Sequence, residues 1–425
     1  MRAESDIGAA YDLARYAQWN TSAPERLRKK FEPGWFSLTL DAMSIVAGGR
    51  RCWVEVDLDA LRGNLAWIKH RVGANVRVIT VVKADAYGHG LKSIAALLMQ
   101  SGTDLFGVAS LSEAEAIRSV GRGWPILLLG AALPDELESA LGDEVMLTVS
   151  SAEELRRISE VACRMKRIAA IHLKVDTGMG RLGAKPEEAL ELATLARSMP
   201  GMRLAGLFTH YASAEDDPGF TQRQRQAFRK VREQVRAQGG DPEWVHSANS
   251  AGVLLETPDS CNAVRPGLLV YGIVPTGVRL ERRNKADRFH PALSWKARVS
   301  FVKEIRAGVR LSYGGTFTAR RKMRVATVTA GYGDGYLRAA SDRAELLVRG
   351  RRCPVLGRIT MDQMLIDVTR VGDAVPGDEV VLLGKQHGES IEAAEVAGWM
   401  STIPWEVLTS ITYRVPRIYR GSQAA

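Results

Sequence analysis

Apolar positions along this chain follow two patterns, separated near residue 285. From residue 76 onward, short runs of β-branched and aliphatic residues alternate with stretches in which apolar residues recur every three or four positions. These are the signatures of buried strands and amphipathic helices. The expected strands are residues 77–82, 105–109, 125–129, 145–149, 169–176, 204–210, 245–248 and 263–265. Two helix starts read as capping boxes: Ser110 to Glu113, in a helix ended by Gly121, and Ser150 to Glu153. Eight strand–helix units with short connections predict parallel strands joined by right-handed crossovers. A closed (β/α)8 TIM-like barrel uses all eight without leaving an edge. A doubly wound sheet is the alternative architecture, but the glycine fingerprint expected after its first strand is missing.

A polar, basic stretch at residues 283–290 reads as a boundary. Beyond it lie short strands, at residues 297–305, 325–329, 345–348, 355–359, 365–368 and 379–383. Glycine-marked turns separate them, and a helix is expected around residues 391–400. The expected organisation is therefore an N-terminal extension at 1–49, a barrel at 50–285 and a mainly β domain at 286–425. The extension has a possible helix entry at Ser22 to Glu25 and lacks the pattern of a secretory signal. Translation from Met43 is an expectation, because recognisable sequence starts only at Arg51.

Composition narrows the function classes. The chain has 425 residues and is 46% hydrophobic, ample for two cores, and no apolar run reaches membrane-spanning length. The net charge of +10 comes from bases scattered among acids, without a nucleic-acid-binding motif. Neither a nucleic-acid partner nor a membrane is expected, and a basic surface suits a small anionic substrate or cofactor. Cys52, Cys163, Cys261 and Cys353 lie far apart with no paired spacing, as expected of reduced thiols in a cytoplasmic protein.

The candidate chemistry gathers where barrel strands end. Val81-Val82-Lys83-Ala84-Asp85-Ala86-Tyr87-Gly88-His89-Gly90 starts as a buried strand and breaks at a lysine. A desolvated lysine there becomes a nucleophilic amine, whereas an ordinary one snorkels to solvent. In residues 169–176, Ile171, Leu173 and Val175 should face the outer helices, leaving His172, Lys174 and Asp176 inside. Interior charge needs partners or a function, and a structural ion network is the plain alternative. Arg181 follows a short glycine loop. His210 and His246 end later strands, where a histidine is ordinarily structural. Ser250, after Asn249, opens a segment whose backbone amides suit a phosphate.

The lysine run resembles the pyridoxal-phosphate attachment motif of alanine racemases. His172-Leu173-Lys174-Val175-Asp176-Thr177-Gly178-Met179-Gly180-Arg181 and Ser410-Ile411-Thr412-Tyr413-Arg414-Val415-Pro416-Arg417 resemble further signatures of that family. The resemblance spans about residues 51–420. It implies that Lys83 carries pyridoxal 5'-phosphate and that Arg181 binds the substrate carboxylate. Lys174 stands where the family often has a carbamylated lysine. The resemblance also places His210 and Arg265 against the cofactor ring, with Arg265 facing its nitrogen, and His246 and Asn249 in support. Ser250, Gly267, Tyr87 and Tyr413 are expected at the phosphate.

Arginine cannot take up a proton, so Arg265 implies a weak electron sink, suited to removing and replacing one proton. Tyr313 is implied as a second catalytic base, tuned by His210 and Arg265. Tyr332 is expected at the substrate entrance and Met361 near the substrate carboxylate. In the family the β domain delivers such residues to a partner's site, so a homodimer with shared active sites is expected. Phe317 and Thr360 depart from the family's common tyrosine and cysteine without removing a catalytic group. The implied activity is interconversion of L- and D-alanine, an isomerase reaction on a small amino acid that supplies D-alanine for peptidoglycan. Alternatives are a broader or serine-preferring racemase, a pyridoxal-binding regulator, a decarboxylase of similar architecture and a basic RNA-binding scaffold.

Overall fold

The computed structural model describes residues 50–255, 261–275 and 289–421. The extension at 1–49, the Met43 start and the division at residue 285 lie outside the described residues.

The first strand, β1 (Cys52–Asp57), corrects the expected start of the barrel at residue 50. It pairs antiparallel with a strand of the β domain (Val54 opposite Trp295) and parallel with the last strand (Glu55 opposite Ile418). Its backbone is buried on both edges, and only the β domain offers it two neighbours. Asp57 then accepts the Ala60 N–H at 2.9 Å and caps α1 (Leu58–Val72), which leads into the barrel.

The barrel follows as β2 (Arg77–Val81), α2 (Leu91–Gln100), β3 (Leu105–Val108), α3 (Leu111–Val120), β4 (Ile126–Ala131), α4 (Leu137–Gly142), β5 (Val145–Val149) and α5 (Ala152–Arg164). It continues through β6 (Ala169–Lys174), α6 (Ala189–Ser198), β7 (Met202–Phe208), α7 (Pro218–Ala237), β8 (Trp244–His246), α8 (Ser250–Leu255) and β9 (Ala263–Val264). Strands β2 to β9 close on themselves, with Val78 of β2 opposite Val264 of β9, as the eight-unit pattern required. Ile79, Leu105, Leu127, Trp244 and Ala263, from five strands, form a cluster of their own inside the barrel. The Arg77 guanidinium stacks over Trp244 at 3.6 Å. Ile171, Leu173 and Val175 of the β6 segment join the large core shared with the helices, which leaves His172 and Lys174 facing in. The second capping box is shifted by one residue from the expected position. Ser151, not Ser150, caps α5, and Glu154 returns the bond.

The β domain comprises β10 (Leu293–Ile305), β11 (Arg310–Leu311), β12 (Phe317–Thr318), β13 (Met323–Val328), β14 (Glu345–Val348), β15 (Arg351–Pro354), β16 (Met364–Asp367), β17 (Glu379–Gln386) and β18 (Glu389–Ile391). It ends with α9 (Ala393–Met400), α10 (Pro404–Thr409) and β19 (Arg417–Arg420). With β1 these form a nine-stranded sheet and a two-stranded ribbon. The strand expected at 355–359 is displaced to Arg351–Pro354. Arg349 (φ 50°) and Gly350 (φ 72°) make a two-residue left-handed turn that sets Arg351 directly opposite Val348, so the ladder starts at once. Among the described residues no helix is long and apolar enough to cross a membrane. All four cysteines are thiols.

Candidate active site

Lys83 follows β2 at the barrel's carboxyl end and opens an unusual segment. Ala84, Asp85, Ala86 and Tyr87 all have φ near +53°, one turn of left-handed helix built without glycine. Such a conformation costs roughly 1–2 kcal/mol per residue, so the surroundings must hold it. Ala86 N–H donates to Val82 O at 2.9 Å, and Gly88 N–H to Ala84 O at 3.0 Å. Asp85 accepts the Leu91 N–H at 2.7 Å, and Glu113 accepts the Ala84 N–H at 2.6 Å. From outside, Arg417 Nε donates to Gly88 O at 3.1 Å and the Tyr419 hydroxyl to His89 O at 3.1 Å. Gly88 (φ 77°) packs so tightly on Leu408 O of α10 that a Cβ would overlap it. The last strand and α10 thus brace the lysine segment, bringing the chain's beginning, end and barrel to one place.

Burial, then the charge of Arg181, hold the Lys83 amine below the ordinary lysine range, with Glu113 opposing. Lys174, only 3% exposed, is brought down to about 8 by burial, then by Arg181 and Arg265. Asp176 just beyond it is opposed by burial, but N–H donors from Gly178, Gly180 and Met179 (2.8–3.1 Å) win and hold its carboxyl low. Arg181 is exposed at the edge of this group.

Arg265 lies at the centre, 4% exposed. It donates to His246 Nδ1 at 2.6 Å, Thr209 O at 2.8 Å, Ser247 O at 2.9 Å and His210 Nδ1 at 3.2 Å. All four partners are neutral, so the cation is fixed in place but its charge is not cancelled. Burial brings it down only to about 10, which leaves it charged at neutral pH. Arginine can only donate, and this sets a chain of tautomers. His246 Nδ1 must accept, so its Nε2 carries the proton and donates to His172 Nδ1 at 2.9 Å. His210 likewise accepts at Nδ1 and carries its proton on Nε2. Burial, then Arg265, keeps His246 and His210 well below the ordinary histidine range. Burial above all brings His172 to about 3. All three imidazoles are neutral near pH 7.

A third group suits a phosphate. Ser250 opens α8, with Asn249 Oδ1 accepting the Gly252 N–H at 3.0 Å. Ser250 Oγ accepts the N–H of Gly267 at 2.9 Å. The Tyr87 hydroxyl rests against Gly267, where a Cβ would overlap it, and the Tyr87 ring stacks on Tyr271 at 4.8 Å. Burial pushes the Tyr87 hydroxyl up, which keeps it a donor. A helix start, a hydroxyl pair and a glycine that admits close approach fit a phosphate. With the amine and the fixed cation, the donor set fits pyridoxal phosphate.

The β-domain candidates stand apart from these buried groups. Tyr313 is 71% exposed, Met361 52% and Tyr332 41%. Their loops adjoin: Ser312 Oγ donates to Arg358 O at 2.5 Å, and Tyr332 N–H donates to Thr360 O at 3.0 Å. Tyr413, expected at the phosphate, stands 99% exposed on this chain, whereas Tyr87 and Ser250 are buried. The terminal signature does reach the lysine segment, through Arg417. Its neighbour Arg414 turns to Asp334 (2.8 Å) and Asp362 (2.9 Å), leaving Tyr413 outward. The sequence reading missed Glu113, Tyr271, Arg417 and Tyr419. Two of them carried a signal, Glu113 in its capping-box position and Arg417 in the terminal signature.

Family models for the alanine racemase N-terminal domain and C-terminal domain match residues 56–275 and 292–419. The chain is 41% identical over 383 residues to an alanine racemase of Symbiobacterium thermophilum, covering 89% of this chain and 99% of that protein. The alanine racemase structure from Clostridium difficile 630 superposes with TM-score 0.81 at 33% identity, covering 87% of this chain and 96% of that one. One from Bartonella henselae, described with covalently bound pyridoxal phosphate, superposes with TM-score 0.79 at 28% identity, covering 88% and 100%. With both domain models matched and nearly the whole length aligned to such relatives, the chain belongs to the alanine racemase family of isomerases.

Proposed function

We propose that this enzyme interconverts L- and D-alanine by a two-base mechanism, with pyridoxal 5'-phosphate held covalently on Lys83. The observation that carries the reading is the lowered-pKa amine of Lys83 at the end of a barrel that also holds an uncancelled arginine and the cluster of Tyr87, Ser250 and Gly267. Ser250, Gly267 and Tyr87 would hold the phosphate and Arg265 would face the ring nitrogen. When bound, the cofactor supplies an electron sink that acidifies the Cα–H of the amino acid.

The protein's part is to bind, orient and move protons. Arg181 receives the substrate carboxylate. Inversion needs a base on each face of the planar carbon, and Lys83 Nζ takes or returns the proton on one face. The Tyr313 hydroxyl of a second copy serves the other, with His210 Nε2–H positioned to steady its oxygen and Arg265 supplying the positive field. Met361 and Tyr332 come from the same second copy, at the substrate carboxylate and the entrance. His246 and Asn249 fix Arg265 and the start of α8. Lys174, an uncharged amine above about pH 8, is suited to carbamylation, which would make it an anion facing Arg181. The partner is a second copy of the chain, and the product supplies peptidoglycan synthesis in the cytoplasm, a compartment consistent with the four thiols.

A chiral assay on L-alanine, with the visible absorbance of the purified protein, tests the reading. The expected result is a coloured protein that yields D-alanine. A folded protein that stays colourless with added pyridoxal phosphate and leaves L-alanine unchanged overturns it.

A further inference from the structure

Two glutamates occupy the same place in two barrel helices and do different things. Glu154, at the third position of α5, turns back on its own helix start and accepts from Ser150 N–H (2.6 Å) and Ser151 N–H (3.1 Å). Glu113, at the third position of α3, accepts from the corresponding Ala109 N–H at 2.7 Å. Its other oxygen leaves the helix and takes the Ala84 N–H at 2.6 Å, 29 residues away in sequence. Ala84 is the residue after Lys83 and the first of the left-handed run. One carboxylate therefore ties the end of β3 to the peptide that carries the lysine.

We propose that Glu113 is a positioning residue for Lys83, holding the first left-handed peptide so that the amine is presented in one direction at the barrel's end. A local helix cap needs only the bond to Ala109, and nothing in α3 requires the second. A strained turn of four non-glycine residues does require it, because its first N–H faces outward and would otherwise pair with water or relax toward the right-handed region. A charge-assisted bond is about twice as strong as a neutral one. The same carboxylate places negative charge near the amine and opposes the lowering by burial and Arg181. The inference rests on the reading of Lys83 as the reactive amine.

The test uses full-length apoprotein as wild type, Glu113→Gln, Glu113→Ala and, as control, Glu154→Gln. Acetic anhydride labelling of Lys83 against pH is read by peptide mass, and pyridoxal phosphate affinity by titration. Wild type should label Lys83 ahead of surface lysines. In Glu113→Gln the labelling midpoint should move to lower pH, because the opposing charge is gone. In Glu113→Ala cofactor affinity should also fall about tenfold, the size expected for losing a charged hydrogen bond. Glu154→Gln, which loses a cap of the same kind, should leave both readouts at wild-type values. If Glu113→Ala does not fold, Glu113→Gln, which keeps one acceptor, decides the matter. Wild-type labelling and affinity in the Glu113 variants would overturn the positioning role while leaving the racemase reading intact. A wild-type Lys83 that labels no faster than surface lysines would overturn both.

Discussion

The groups at the barrel's carboxyl end and the loops of the β domain hold their functional side chains in opposite ways. Arg265, Lys174 and His246 are at most 4% exposed; Arg265 and His246 are locked to each other by a hydrogen bond, and Lys174 is buried beside like charges. Tyr313, Met361, Tyr332 and Tyr413 stand 41% to 99% exposed on adjoining loops. A buried polar group must be satisfied within its own chain, so the barrel half is preorganised by necessity. Large apolar side chains projecting together from loops have no such partner at home and mark an interaction face. On the proposed reading one half is finished on folding and the other only on assembly, so each site draws on two chains.

The sharpest way to break that division is complementation. Lys83→Ala should lower racemisation about 10⁴-fold, and Tyr313→Phe 10²- to 10⁴-fold, roughly the loss of one general base each. Dimers formed by mixing the two variants after reversible dissociation should regain about a quarter of wild-type activity. Half the dimers are then mixed, and each mixed dimer has one intact site under two-fold symmetry. Activity no higher than the variants alone, with mixed dimers shown to form, would place Lys83 and Tyr313 of one site on the same chain.

The barrel half can be sharpened by crowding it. Gly267→Ala puts a methyl into the Tyr87 hydroxyl and must move either the ring or the α8 start. Pyridoxal phosphate affinity should fall ten- to a hundredfold, with a stability loss of about 1–3 kcal/mol typical of overpacking. Spectroscopic titration and chemical denaturation separate the two. Loss of stability at unchanged affinity would remove Gly267 from the phosphate group.

A smaller effect should appear in the pH dependence of stability. The folded pKa of Lys174, about 8, lies below the ordinary lysine value of 10.5. Between those values the unfolded chain carries the extra proton, so stability rises with pH across this window. Below about pH 8, charging the buried amine costs the folded state up to about 3 kcal/mol. Lys174→Met should flatten the rise between pH 8 and 10 in denaturant titrations of the apoprotein. Wild-type protein that shows no rise, with a carbamyl mass increment on Lys174, would mean the amine is already an anion.

What could be read from the sequence divides along the same line. The barrel was legible because eight apolar runs have room for only one closed arrangement, and β6 alternated cleanly enough to turn His172 and Lys174 inward. The signatures around Lys83 and Arg181 are local strings, so their residues could be named in advance. Illegible were contacts between distant segments. Nothing in Cys52–Asp57 says that it pairs with β10 and β19 rather than the barrel, and nothing near Arg417 announces Gly88 O as its acceptor. Left-handed geometry was hidden too, because Ala84 to Tyr87 contain no glycine to signal it. The outward turn of Tyr413 was hidden for a related reason. A signature fixes which residues travel together but not which of them turns inward, and here Arg417 does while Tyr413 faces out.

The smallest predicted effect tests that last point. Tyr87→Phe should weaken pyridoxal phosphate binding about tenfold, because it removes a buried donor next to Ser250 and Gly267. Tyr413→Phe should change affinity by less than about twofold, since an exposed hydroxyl trades one water partner for none that matters. The difference isolates the hydroxyl, as phenylalanine keeps the ring that an interface would bury. A tenfold loss in Tyr413→Phe would show that its hydroxyl is a phosphate donor after all. With 99% of the side chain exposed on its own chain, that donor would then act only once cofactor or a second copy covers it. Tyr413 would join Tyr87, Ser250 and Gly267 in the phosphate group, and the complementation pair Tyr413→Phe with Lys83→Ala would show whether it acts from the same chain as Lys83.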